Sequence, residues 1–275
     1  MRKLLCLAVL IASALPGMAF LDFLFDRNPT LIINTNLTEE GRKLPEASPK
    51  NPVYIAALSM GYEDFGRSLA GDTPPSEDLM KKILTKILKE RGYLAASKAH
   101  PPTQLVTASW GTYYQSGGPS LAANGQLLRF MGGDKLDLMW EAQSSMAGGM
   151  LDPRVLLRGM RDGQSDLILS MAYGSVYLLS VKSFDLAAYQ KNHSIVMLWE
   201  TNIACPADGL AVSETLPIMV ASAGPMLARE TKRPEWVDDI DKHKVNISIG
   251  EAELVSYVDV PAGQESAPAP EKPKK

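Results

Sequence analysis

Apolar and polar positions along the chain fall into a short series of clear periods. Val53-Tyr54-Ile55-Ala56-Ala57-Leu58 is apolar at every alternate position on both faces, the pattern of a strand covered on two sides. Further on, Leu79, Met80, Ile83, Leu84, Ile87 and Leu88 recur at spacings of three and four, with Lys81, Lys82, Lys86 and Lys89 between them. That spacing predicts an amphipathic helix with Ser76 as its cap, Glu77 and Asp78 against the dipole, and Gly92 as its stop. Residues 103–114 are rich in β-branched and aromatic side chains and predict a strand. Two more strands are predicted at 176–184 and 195–205, joined by a polar segment and paired antiparallel. On the second of these, Ile195, Met197, Trp199, Ile203 and Cys205 share a face. A helix is expected over 212–223, with Pro217 tolerable only near its first turn and Gly224-Pro225 ending it. Residues 245–258 predict a long strand whose alternation changes phase around Gly250, as at a bulge.

Between these elements the pattern is weaker. Residues 20–52 are punctuated by proline and predict an irregular N-terminal arm over the core, with Leu31-Ile32-Ile33 as a short edge strand. Glycine pairs divide the stretch 115–163 into pieces: small helices are expected around Trp140 and after Asp152-Pro153, and Ser165 as the cap of another. The whole predicts one α+β domain over 53–258, with a mixed, largely antiparallel sheet and helices mainly on one face. Its possible halves are 53–116 and 165–258, separated by the glycine-rich middle. Residues 259–275, which from Pro261 are proline, alanine, glutamate and lysine apart from Gly263-Gln264 and Ser266, predict a disordered tail.

The N-terminus places this domain in a compartment. Arg2 and Lys3 precede an uncharged apolar run from Leu4 to Leu15, Pro16-Gly17 breaks it, and Gly17-Met18-Ala19 supplies small residues at a cleavage site. A span of the hydrocarbon core needs about 20 apolar residues, more than this run provides. Residues 1–19 therefore read as a bacterial-type signal peptide, and the protein as exported, periplasmic or extracellular. The alternative is an uncleaved N-terminus that anchors the chain in the inner membrane. Cys6 lies too early in the run to be an acylation site. Once the leader is removed, Cys205 is the sole thiol, so stability must come from the core and not from a disulfide. Loss of Arg2 and Lys3 leaves 26 basic against 31 acidic residues, a net charge of -5. Such a surface does not favour nucleic acid, and at most peripheral membrane contact is expected.

Leu88-Lys89-Glu90-Arg91-Gly92-Tyr93, a helix end followed by glycine and an aromatic, and the later pair Leu198-Trp199 carry a family likeness. In these segments the chain resembles uncharacterised secreted and lipoprotein families of bacterial envelopes. Those are related in fold to the periplasmic domain of curli-secretion proteins and to penicillin-binding-protein activators. The resemblance spans about residues 53–258. It implies a mixed sheet with helices on one side and a scaffolding or binding role, and it carries no catalytic residue. The chain departs from many members in having no lipid-attachment motif.

Motifs that carry recognisable chemistry are few. No cysteine pair, His-Glu-x-x-His or calcium-loop pattern is present, and His100, His193 and His243 lie far apart. Asp238, Asp239, Asp241 and His243 read as a solvated charged loop beside Lys242 and Lys244. Gly66-Arg67-Ser68-Leu69-Ala70 begins like a hydrolase elbow but ends in alanine, and Gly132-Gly133-Asp134-Lys135 lacks the order of a phosphate loop. No catalytic, cofactor-binding or metal residue is assigned. One surface is a candidate partner contact: Trp110 and Tyr114 share a face of their strand and Tyr113 points away, before a glycine-rich loop. The expected function is a non-enzymatic envelope module that binds or scaffolds an envelope protein or glycan. Its competitor is an exported hydrolase whose site assembles from residues distant in sequence.

Overall fold

The computed structural model describes residues 30–64, 73–114, 121–136, 138, 163–207 and 210–237. Among them, seven strands form one sheet in the order β3-β2-β4-β5-β6-β1-β7. The strands are β1 (Leu31–Leu37), β2 (Val53–Asp64), β3 (Tyr93–Ala95), β4 (Gln104–Tyr113), β5 (Val176–Asp185), β6 (Met197–Pro206) and β7 (Glu235–Val237). The helices are α1 (Glu39–Lys43), α2 (Glu77–Glu90), α3 (Leu121–Phe130), α4 (Gly163–Ala172), α5 (Leu186–Asn192) and α6 (Val212–Ala223). β2 runs parallel to β3 and β4, and every other pairing is antiparallel. The fold is α+β with a mixed, largely antiparallel sheet, as the residue pattern predicts.

The larger core lies on one face of the sheet, under α2 and α6. Val106, Ala108 and Trp110 of β4 meet Tyr177, Leu179 and Val181 of β5 and Trp199, Ile203 and Cys205 of β6 there. The apolar stripe of α2 (Met80, Ile83, Leu84, Ile87, Leu88) closes over them. The helix starts where the sequence says it must, since the Ser76 hydroxyl accepts from the Leu79 N–H at 3.3 Å. A smaller cluster on the opposite face holds Ile32, Leu178 and Ala204 against Leu127, Leu128, Ile168 and Met171 of α3 and α4.

The N-terminal stretch differs from its expected form. Residues 31–37 are not a short edge strand in an irregular arm. They form an inner strand of seven residues, paired to β6 on one side and β7 on the other, with Leu31, Ile32 and Ile33 wholly buried. The cause is that both alternating faces of β1 are apolar and each face meets its own core, which an edge or surface arm does not permit. Pro217 sits within α6, past the first turn. α4 begins at Gly163, so Ser165 lies inside its first turn and does not cap it. The polar link between β5 and β6 contains α5, capped by the Asp185 carboxylate accepting from Ala188 N–H at 3.0 Å. Ile195 precedes β6 and is 78% exposed, so it is not part of the face that Trp199, Ile203 and Cys205 share. The leader at 1–19, the strand at 245–258, the tail at 259–275, the helix after Asp152, Ser68 and the acidic run 238–243 lie outside the described residues.

Candidate functional site

The three aromatics of the candidate partner contact are separated by the pleat and by the end of β4. Trp110 is 1% exposed and belongs to the larger core. Tyr113 is half-buried against the smaller cluster on the other face, where burial raises the pKa of its hydroxyl. Tyr114, one residue past the strand, is 37% exposed and is the ring of the three that a partner can reach. His100 stacks face to face on Tyr54 with centroids 4.3 Å apart, and His193 meets the edge of Tyr189 at 5.6 Å. Cys205 is buried and unoxidised. Among the described residues, no three His, Cys, Asp or Glu side chains come together as a metal-holding group, and no helix is long and apolar enough to cross a membrane.

A pocket of about 320 Å³ lies at the opposite end of β4 from Tyr114, where β2, β3, β4 and β6 begin. Leu37, Val53, Leu198 and Ala228 make its apolar wall, and Tyr93, Gln104, Trp199 and Arg229 also line it. None of these eight is adjacent to all the rest in sequence. They converge because the sheet order brings the end of β1 beside the start of β6, and the starts of β2, β3 and β4 beside one another.

One rim of the pocket is α1, held down on β6 by a compact set of bonds. Thr38 N–H donates to the Leu198 carbonyl at 3.0 Å, and the Thr38 hydroxyl donates to the Met197 carbonyl at 2.7 Å. The same hydroxyl oxygen accepts from Gly41 N–H at 3.1 Å, capping the helix. A glycine is required at 41, because a Cβ there would overlap the Leu198 carbonyl oxygen and stand 2.8 Å from its carbonyl carbon.

The other rim is the loop 227–231. Ala228 holds φ at 59°, a left-handed conformation that costs an L-residue about 1–2 kcal/mol. Neighbouring bonds over-determine it. Ala228 N–H donates to the Thr201 hydroxyl at 3.2 Å, and that hydroxyl also bonds the Thr35 hydroxyl at 2.9 Å. Lys135 reaches in from the opposite cluster and donates to the carbonyls of Thr35 at 2.9 Å and Thr231 at 2.8 Å. Burial lowers the pKa of this ammonium, with Asp134 and Glu230 opposing the fall. The loop is thereby fixed to two strands and presents Arg229 and Glu230 from a rigid base.

The electrostatics of the pocket are largely self-satisfied. Arg42 Nε donates to both carboxylate oxygens of Glu230, at 3.1 and 3.0 Å, and its Nη2 pairs with the same group. The hydrogen bond to Arg42 holds the Glu230 carboxyl below its usual pKa. Arg91 pairs with Glu46 at 3.1 Å. Tyr93 is 6% exposed, and burial pushes its hydroxyl up to about 12, against the opposing influence of Arg91 and Trp199. The Trp199 ring lies 5.6 Å from that of Tyr93, tilted by 56°. Its indole N–H is shielded from solvent and directed at the Tyr93 oxygen, which opposes the rise of the Tyr93 pKa. Gln104, which lines the pocket, accepts from the Ser183 hydroxyl at 2.8 Å through its amide oxygen.

No family model matches the chain, and no curated protein does. Among solved structures the chain is similar to a PDZ domain protein from Parabacteroides distasonis, at 11% identity and a TM-score of 0.36. That likeness covers 79% of this chain and 41% of the other, so the chain spans less than half the length of that protein. It is also similar to the PelC dodecamer from Paraburkholderia phytofirmans, at 9% identity and a TM-score of 0.30, over 73% of this chain and 99% of that one.

Proposed function

We propose that the chain is an exported, non-enzymatic binding or scaffolding module of the bacterial envelope, and that the pocket between α1 and the 227–231 loop is where it holds its partner. The basic, apolar and small-residue regions at the N-terminus support export. The observation that carries the binding role is the state of the pocket's ionisable groups. Arg42 and Glu230 neutralise each other, as do Arg91 and Glu46, and the Tyr93 hydroxyl stays protonated across the physiological range. A catalytic base or nucleophile has its pKa tuned toward the working pH. Here the shift runs the other way, which suits a hydrogen-bonding wall and not a proton carrier.

The role is tested by affinity isolation of the native protein from envelope fractions, together with assays of the purified chain on ester, peptide and glycoside substrates. Recovery of a defined partner supports the module. Turnover of any of those substrates at a rate that scales with the purified chain contradicts it. N-terminal sequencing of the envelope-derived protein tests export: a start near Phe20 supports a released protein, and an intact Met1 supports an anchored one.

A further inference from the structure

Two rims face each other over the pocket, and one ion pair joins them. Arg42 projects from α1 and Glu230 from the 227–231 loop, and both line the pocket. Arg42 Nε donates to both carboxylate oxygens of Glu230, at 3.1 and 3.0 Å, and Nη2 meets the same group. A contact between opposite rims has to cross the opening between them. The two side chains are 52% and 39% exposed, so the crossing lies at the solvent side of the pocket, over the wall that Leu37, Val53 and Leu198 form.

Neither rim depends on this pair for its position. α1 is seated on β6 through Thr38, and the loop is fixed by Lys135 and by the Thr201 hydroxyl. Arg91 already ties the same two sides together: its Nη2 pairs with Glu46 after α1, and its Nε donates to the Leu227 carbonyl at 3.3 Å. As a strut the Arg42–Glu230 pair is therefore redundant. It is also weak, since an exposed ion pair shifts an equilibrium by no more than about fivefold. Parting it leaves neither charge bare, because Glu39 acts on Arg42 and Lys135 on Glu230.

We infer that Arg42 and Glu230 form a salt-labile bar across the mouth of the pocket. Paired, they close the apolar wall to a partner. Parted, each side chain turns back to its own rim and the pocket opens without movement of α1 or the loop. This rests on the pocket being the partner's site, and it adds how entry to that site is controlled.

The test reads access to the wall directly and needs no partner. The full chain carries Val53→Cys as reporter, with Leu37→Cys as a second reporter on the same wall. Alkylation by iodoacetamide, a small neutral reagent, is followed at the reporter alone by peptide mass spectrometry. Rates are divided by the thiolate fraction taken from the pH profile of each variant. Raising sodium chloride from about 20 mM to about 1 M, which shortens the screening length to about 3 Å, should speed labelling about threefold. Glu230→Gln and Arg42→Met should each give a similar rise and remove the response to salt. The double variant should be no faster than either single one, since both remove the same contact. Both residues are exposed, so the urea midpoint should stay unchanged in each variant. A rate indifferent to salt, single variants as slow as the parent, additive effects in the double variant, or a lowered midpoint each overturns the bar. If a specific envelope partner is isolated in that case, the module reading stands and the bar falls alone. If the bar behaves as expected and no partner is recovered, it is the module reading that falls.

Discussion

Gly41→Ala is the sharpest perturbation of the pocket, because one methyl group acts on the seat of α1. The added Cβ would overlap the Leu198 carbonyl oxygen, 2.8 Å from the carbonyl carbon and 3.3 Å from Cα. All three are main-chain atoms of Leu198, which stands at the irregularity in the β5–β6 register, so relief must move main chain and not a side-chain tip. Relief requires α1 to lift off β6. That movement breaks the bonds from Thr38 to the Leu198 and Met197 carbonyls, each worth about 1 kcal/mol net. Overpacking of a close contact costs about 1–3 kcal/mol in its own right. The expected loss is therefore about 3–5 kcal/mol, read as a lower urea midpoint followed by tryptophan fluorescence, with the slope unchanged. Because α1 carries Arg42 and one rim of the pocket, the variant should also recover less of an envelope partner in affinity isolation. A midpoint shift equivalent to less than about 0.5 kcal/mol, the usual effect of a neutral surface change, would refute the claim that α1 is seated through this contact.

Three further outcomes follow from the same geometry. The Tyr93 pKa is raised from 10 to about 12, so its contribution is fully present below pH 10 and is lost as pH climbs to about 12. Urea unfolding across that interval should show an alkaline loss of up to about 3 kcal/mol that Tyr93→Phe abolishes, and an unchanged slope in the variant would contradict it. Lys135→Met removes the donor shared by the Thr35 and Thr231 carbonyls and should cost about 2 kcal/mol in the same assay, together with faster hydrogen exchange at the 227–231 loop. Ala228→Val places a β-branched side chain at φ 59° and should cost about 2 kcal/mol; a neutral effect would show that the loop relaxes freely.

The parts of the fold written in local pattern were legible in the sequence. α2 could be read from its cap, its apolar spacing and its terminal glycine, and β4, β5 and β6 from runs of β-branched and aromatic residues. What escaped were features set by pairing over long distances. β1 looked like an arm because proline surrounds it, and its inner position depends on β6 and β7, which lie at least 160 residues away in sequence. β3 and β7 are three residues each, too short to show any period. The pocket was invisible for the same reason: its walls come from residues 37, 41–42, 44–47, 53, 93, 104, 198–199 and 228–230. Alternation put Trp199 on one face with Ile203 and Cys205, and all three are buried in the larger core. Within the aromatic trio the alternation rightly set Trp110 and Tyr113 on opposite faces. It could not tell which of the rings a helix would cover.

The central claim, that this chain binds an envelope partner through the pocket at the start of β2, β4 and β6, is met most directly by comparative affinity isolation. Wild-type and Arg229→Met chains, each shown to be folded, are used as bait against the same envelope fraction, and recovered proteins are quantified. A partner enriched by the wild type and depleted with the variant is expected, since Arg229 stands exposed at the rim of the pocket. Identical recoveries for the two chains would contradict it.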